Sequence, residues 1–130
     1  MLRLGMTVVG VTDMERAVTF WTQALGFEVH VGGADDGWAE LGPPGEDASP
    51  LALQHSDEQP EAHPRLHLDL MAGDAEDQAI QVERLTSLGA TRVDWDLYPA
   101  TPDFVVLADP DGNRFCVVDA SMHEGYMHEG

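Results

Sequence analysis

The chain repeats itself once. Val11-Thr12-Asp13 leads into an amphipathic stretch that ends at Leu25-Gly26 and is followed by a strand-like run. Asp74 opens a second such stretch, ending at Leu88-Gly89 and again followed by a strand-like run. The interval is 61 residues at the aspartates and 63 at the glycines, so the two halves are nearly equal. At 130 residues the chain has the length of one ordinary domain, and neither half alone is expected to bury enough surface to stand by itself. Two similar modules folding as one body leave a cleft, and a cleft points to a small molecule.

Hydrophobic periodicity supplies the elements. Leu2 to Val11 reads as a buried strand, with Thr12 and Glu15 as a capping box for the helix after it. Met14, Ala17, Val18, Trp21, Ala24 and Leu25 recur at helical spacing, and Gly26 stops the helix. Strands are expected at Phe27–Val31, from Trp38 to Leu41, and from Leu51 to His55. The second module repeats this order: a strand to Met71, a helix over Ala75 to Leu88 burying Ala75, Ala79, Val82 and Leu85, and strands near Thr91–Trp95, Phe104–Ala108 and Arg114–Asp119. Asp109-Pro110-Asp111-Gly112-Asn113 is a strong turn. The expected class is therefore α+β, with two βαβββ modules (residues 1–56 and 64–119), a linker over 57–63 and a flexible acidic tail over 120–130. Short strand-to-strand links favour mainly antiparallel pairing. Each sheet can cover one face with its helix and turn the other toward a shared cavity.

Charge and cysteine content narrow the function. Asp and Glu number 24 against 6 basic residues, for a net charge of −18. Such a field repels nucleic acid and anionic membrane surfaces, and tolerates a neutral or cationic ligand. A solvated acidic surface is the plainer explanation of the same count. One cysteine, Cys116, excludes an intrachain disulfide and a thiol cluster, and suits a reducing compartment. The amino-terminal residues lack the pattern of a signal peptide, and no apolar run approaches the roughly 20 residues a spanning helix needs. A soluble, cytoplasmic protein is expected.

Several side chains are candidates for chemistry. His67 alternates with Leu66 and Leu68, which places it on one face of its strand with Asp69. There it can contact a ligand, exchange a proton or simply be satisfied internally. Cys116 shares a face with Val118 and reads more readily as a small buried hydrophobe than as a nucleophile. Trp21 sits on the apolar helix stripe, as core. Trp38 and Trp95 border loops; Trp95 lies between Asp94 and Asp96, with Tyr98 and Phe104 following. Aromatic faces edged by carboxylates suit a planar or cationic guest, although ordinary strand packing yields the same pattern. The Met-His-Glu-Gly repeat at Met122–Gly125 and Met127–Gly130 matches no rigid metal site.

Taken in order, Val11-Thr12-Asp13, Phe20-Trp21, Leu25-Gly26-Phe27, Leu88-Gly89-Ala90 and Asp109-Pro110-Asp111-Gly112-Asn113 resemble the vicinal-oxygen-chelate superfamily. This is the glyoxalase, bleomycin-resistance and extradiol-dioxygenase fold, and the resemblance is nearest to its glyoxalase-like branch. It implies paired incomplete barrels, a homodimer, and metal ligands on the first and last strand of each module. At those positions this chain offers Met6, His67, Cys116 and one of Leu51, Ala52 or Leu53. Such a set is poor for a hard divalent ion, and a metal enzyme would need a second donor such as Asp69, Glu40 or His55. The expectation is therefore a metal-independent small-molecule binding protein with no cofactor. His67, Asp69, Trp38, Trp95, Phe104, Cys116 and Met6 would border its cavity. A metal-dependent lyase or dioxygenase with a remodelled site is the alternative, and a noncatalytic dimerisation module is the third reading.

Overall fold

Asp13, rather than Thr12, opens the first helix. In the computed structural model, which describes residues 1–122, an Asp13 carboxylate oxygen accepts a hydrogen bond from the Arg16 amide at 3.0 Å. A carboxylate there both satisfies a free helix amide and sits at the positive end of the helix dipole, which displaces the expected Thr12–Glu15 box by one residue. The helix, α1, spans Met14–Leu25 after strand β1 at Thr7–Val11. It ends at Gly26, whose φ of 67° lies in the left-handed region that glycine enters without a side-chain clash. Met14, Ala17, Phe20, Trp21 and Ala24 form its buried face, and the Phe20 and Trp21 rings meet edge to face at 5.1 Å. Val18 and Leu25, expected on that face, are only half-buried, and Phe20 takes the place they left.

Strands β2 (Glu28–Gly33), β3 (Trp38–Gly42) and β4 (Leu51–His55) complete the first unit. The chain then divides between Gln59 and Pro60 into a second compact unit. That unit holds β5 (Leu68–Ala72), α2 (Ala75–Ser87), β6 (Thr91–Arg92), β7 (Phe104–Ala108) and β8 (Arg114–Asp119). Strand order is β1-β4-β3-β2 in the first sheet and β5-β8-β7-β6 in the second. The β2–β3, β3–β4, β6–β7 and β7–β8 pairs are antiparallel, as short links dictate. The β1–β4 and β5–β8 pairs are parallel, so each sheet is mixed. A helix and two strands separate those partners in the chain, so no hairpin constrains their direction.

Three details differ from the sequence pattern. Pairing of β1 with β4 begins at Thr7 opposite Leu51, so the expected strand start at Leu2 is too early; residues 1–5 are exposed. Helix α2 buries Val82 and Leu85, whereas Ala75 and Ala79 are exposed. The position one turn before Val82 belongs to Gln78, whose side-chain amide donates to the carbonyls of Asp103 at 3.1 Å and Val117 at 3.0 Å. Hydrogen bonding thus decides a helix face that an apolar count alone assigns wrongly. The first residues of the expected tail are packed. Ala120 is buried, and Asp119 accepts from the Ser121 amide at 2.9 Å and its hydroxyl at 2.6 Å. The His-containing part of the tail repeat lies outside the described residues. Among the described residues no helix is long and apolar enough to cross a membrane.

Candidate functional site

Register places the chemistry of the second unit. The parallel β5–β8 ladder seats Asp69 opposite Cys116, and the antiparallel β7–β8 ladder seats Val106 opposite the same cysteine. Because side chains alternate along a strand, Cys116 shares its face with Val118, and Asp69 with His67 just before β5. Cys116, Val106 and Val118 are buried together, and Met71, Val93, Trp95 and Phe104 pack against them. The alternate residues Phe115 and Val117 are buried as well; they belong to the opposite side of β8, against which α2 packs.

That face opens into a cavity of about 410 Å³. Of the sequence-derived candidates, His67, Asp69, Trp95, Phe104 and Cys116 line it. Met6 and Trp38 belong to the first unit. Met6 is half-buried just ahead of β1, and the Trp38 indole donates to Glu40 at 2.9 Å. Asp103, Arg114, Leu97 and Pro64 also line the cavity, and sequence reasoning had not picked them out. Arg114 was within reach of it: it stands two residues before Cys116 on the same strand and so shares its face. Its guanidinium donates to the Gly112 carbonyl at 3.0 Å, which fixes a cation on an otherwise acidic and aromatic wall. Asp103 and Leu97 come from a loop whose path no periodicity reveals.

That loop explains why β6 is short. The strand expected to reach Trp95 ends its regular pairing at Arg92 opposite Leu107, with one further bond from the Val93 amide to the Val106 carbonyl at 3.3 Å. The Val106 amide, next along the edge of β7, is instead satisfied by the Tyr98 hydroxyl at 2.7 Å. The Tyr98 ring lies 5.3 Å from that of Phe104. A side chain has replaced a backbone partner, and the released segment carries Trp95 and Leu97 to the cavity. His63 anchors it from the other side: its Nε2 lies 2.7 Å from an Asp96 carboxylate oxygen, and its ring lies 4.9 Å from Trp95. The hydrogen bond from His63 holds the Asp96 carboxyl below its ordinary range.

At the cavity wall His67 Nε2 and Asp69 Oδ1 are 3.0 Å apart. Burial, followed by the negative charge and hydrogen-bond acceptance of Asp69, pushes the Cys116 thiol up to about 12. The sulfur is therefore protonated at neutral pH and a weak nucleophile. An imidazole nitrogen, a carboxylate oxygen and the sulfur of these three side chains lie within 4.8 Å of one another, with the imidazole and carboxylate exposed and the thiol buried.

The metal centre implied by the family resemblance does not fit these residues. Its first-unit positions hold the Met6 thioether and the hydrocarbon side chains of Leu51, Ala52 and Leu53, all three of which are buried. Neither kind of group binds a hard divalent ion. Of the candidate second donors, Glu40 accepts from Trp38 and His55 lies 3.6 Å from Asp57. Asp69 is the one beside His67.

The architecture is a familiar one. It matches a glyoxalase/bleomycin resistance protein/dioxygenase family enzyme from Burkholderia phytofirmans over 89% of this chain and 97% of the other, at 16% identity and a TM-score of 0.69. A protein from Agrobacterium tumefaciens matches over 92% and 98%, at 13% identity and a TM-score of 0.72. A lactoylglutathione lyase from Agrobacterium tumefaciens matches over 96% and 95%, at 18% identity and a TM-score of 0.60. At these identities the likeness is one of fold. No curated protein matches the chain. The model of the glyoxalase-like domain, however, matches residues 6–118, nearly the whole repeat, and the chain belongs to that family.

Proposed function

We propose that this protein binds a small planar molecule, neutral or cationic, in the second-unit cavity without help from a metal. One observation carries the reading: the His67–Asp69 pair, at 3.0 Å, stands on the wall of a cavity whose remaining surface is mainly apolar and aromatic. Burial against Trp95, Phe104 and Val106 supplies affinity, and one or two directed hydrogen bonds supply orientation. Asp69 and Asp103 favour a donor or a positive charge on the guest, whereas Arg114 can meet an acceptor. Homodimerisation and a cytoplasmic location belong to the same reading; sedimentation at low and high protein concentration tests the first.

The test is a tryptophan-fluorescence screen of planar neutral and cationic compounds, with a chelator present throughout. A binder should quench the wild type, lose most of its signal with Trp95→Phe, and weaken at least tenfold with His67→Ala or Asp69→Asn. Binding that appears only after a divalent ion is added would overturn the metal-independent reading. It would favour instead a lyase of the kind named for the Agrobacterium neighbour.

A further inference from the structure

We infer that the guest is an aromatic zwitterion of the α-amino-acid type, with its carboxylate held by Arg114, its ammonium by Asp69 and its ring against Trp95 and Phe104. The inference rests on the organic-guest reading above and narrows it to one chemical class.

Arg114 carries the argument. The chain has 24 acidic residues against 6 arginines, and Arg114 shares the cavity wall with Asp69 and Asp103. Even so, no ion pair joins it to a described carboxylate. Its one hydrogen bond among the described residues runs from Nη1 to the Gly112 carbonyl at 3.0 Å. That bond leaves the edge formed by Nε and Nη2, which can take a carboxylate through two parallel bonds. Nε is buried without a partner among the described residues, and a donor in that condition gains more from an incoming acceptor than a hydrated one does. Because Nε is shut from solvent, the guanidinium must turn about its bond to Gly112 to present that edge to the guest.

Position along the strands orders the three subsites. Arg114 and Cys116 share a face of β8 and stand roughly 6.6 Å apart along it. Asp69 sits opposite Cys116 on β5. One step further, Phe104 sits opposite Val118 on β7, and Trp95 packs against the same buried cluster. The wall therefore runs from cation to carboxylate to aromatic surface. An amino acid with an aromatic side chain runs from carboxylate to ammonium to ring, in the matching order. Net charge favours the zwitterion over either half of it. The −18 of the chain opposes an anionic guest, whereas a plain cation leaves Arg114 unmatched.

Calorimetry on the full-length protein in chelator tests this with three compounds that share one ring system. L-tryptophan should bind at least tenfold more tightly than tryptamine, which lacks the carboxylate, and than indolepropionate, which lacks the ammonium. L-phenylalanine, phenethylamine and hydrocinnamate repeat the comparison with a smaller ring. Arg114→Gln should weaken L-tryptophan at least tenfold and leave tryptamine no weaker, so that retained tryptamine binding shows the variant to be folded. Asp69→Asn should weaken both. The wild-type series needs no variant and decides the matter even if Arg114→Gln fails to fold. Tryptamine binding as tightly as L-tryptophan, an L-tryptophan affinity unmoved by Arg114→Gln, or no heat from either amino acid at millimolar concentration would overturn the inference. A cationic or neutral compound that still quenches Trp95 in the fluorescence screen would then leave the organic-guest reading standing, whereas a screen without any binder removes both.

Discussion

The two ladders that join first and last strands are built alike and furnished differently. In the first unit β1 seats Val8 opposite Ala52; in the second, β5 seats Asp69 opposite Cys116. The 61-residue interval of the repeat carries Met6 onto His67 and Val8 onto Asp69. Three matching scaffold positions thus hold a thioether, an isopropyl group and a methyl in the first copy, and an imidazole, a carboxylate and a thiol in the second. The connections differ in the same sense. The first unit joins β2 to β3 through a short turn. The second cuts β6 to two residues and spends the released chain on a loop bearing Trp95, Leu97 and Tyr98. On the proposed reading, stability rests on what the copies share, and ligand binding on what separates them.

The sharpest way to break that comparison is to attack the shared part. Trp21, buried on α1, should cost about 3–5 kcal/mol as Trp21→Ala, read as a lowered urea midpoint. Trp95→Ala, half-exposed at the cavity, should cost under about 1.5 kcal/mol. Equal losses would mean that the second-unit loop carries the fold as much as the helix core does.

Making the second copy resemble the first is the next test. The double variant His67→Met/Asp69→Val should keep its cooperative unfolding and lose at least tenfold in guest affinity, about 1.4 kcal/mol. Retained affinity would remove the polar pair from the site.

A smaller effect should appear at alkaline pH. The Cys116 thiol is raised to about 12 in the folded protein, so the unfolded chain ionises there first and binds fewer protons. Stability from this group is therefore intact below the ordinary thiol range and declines as pH rises toward 12. Denaturation curves across that window should fall more steeply for the wild type than for Cys116→Ala, which has no counterpart change to make. The smallest effect concerns His63→Gln. The Asp96 carboxyl, held low by His63, should return toward its ordinary value in an NMR titration. The benefit of that pair is present above the ordinary aspartate range and disappears as pH falls through the lowered pKa.

Much of the fold was legible because it depends on local signals. Gly26 stops α1 as its position suggested, and the Asp109–Asn113 turn forms with Asp109 accepting from the amides of Asp111 at 3.0 Å and Asn113 at 2.8 Å. Alternation along β8 placed Cys116 with Val118 correctly. What the sequence hid were long-range hydrogen bonds: Gln78 fastening α2, Tyr98 truncating β6, and the parallel ladders that set Asp69 beside Cys116. Parallel direction is decided across a helix and two strands, where no local pattern reaches. The register that brings imidazole, carboxylate and thiol together follows from that direction alone.

The most direct test of the account is the amide and indole chemical-shift map of the chelator-treated protein, recorded with the tightest compound from the fluorescence screen. Shifts concentrated at Asp69, Trp95, Phe104 and Cys116, with the Val8 and Ala52 signals unmoved, are the result expected if the second copy holds the site. Shifts centred on Met6, Val8, Trp38 and Ala52 would place the site in the first copy and contradict it.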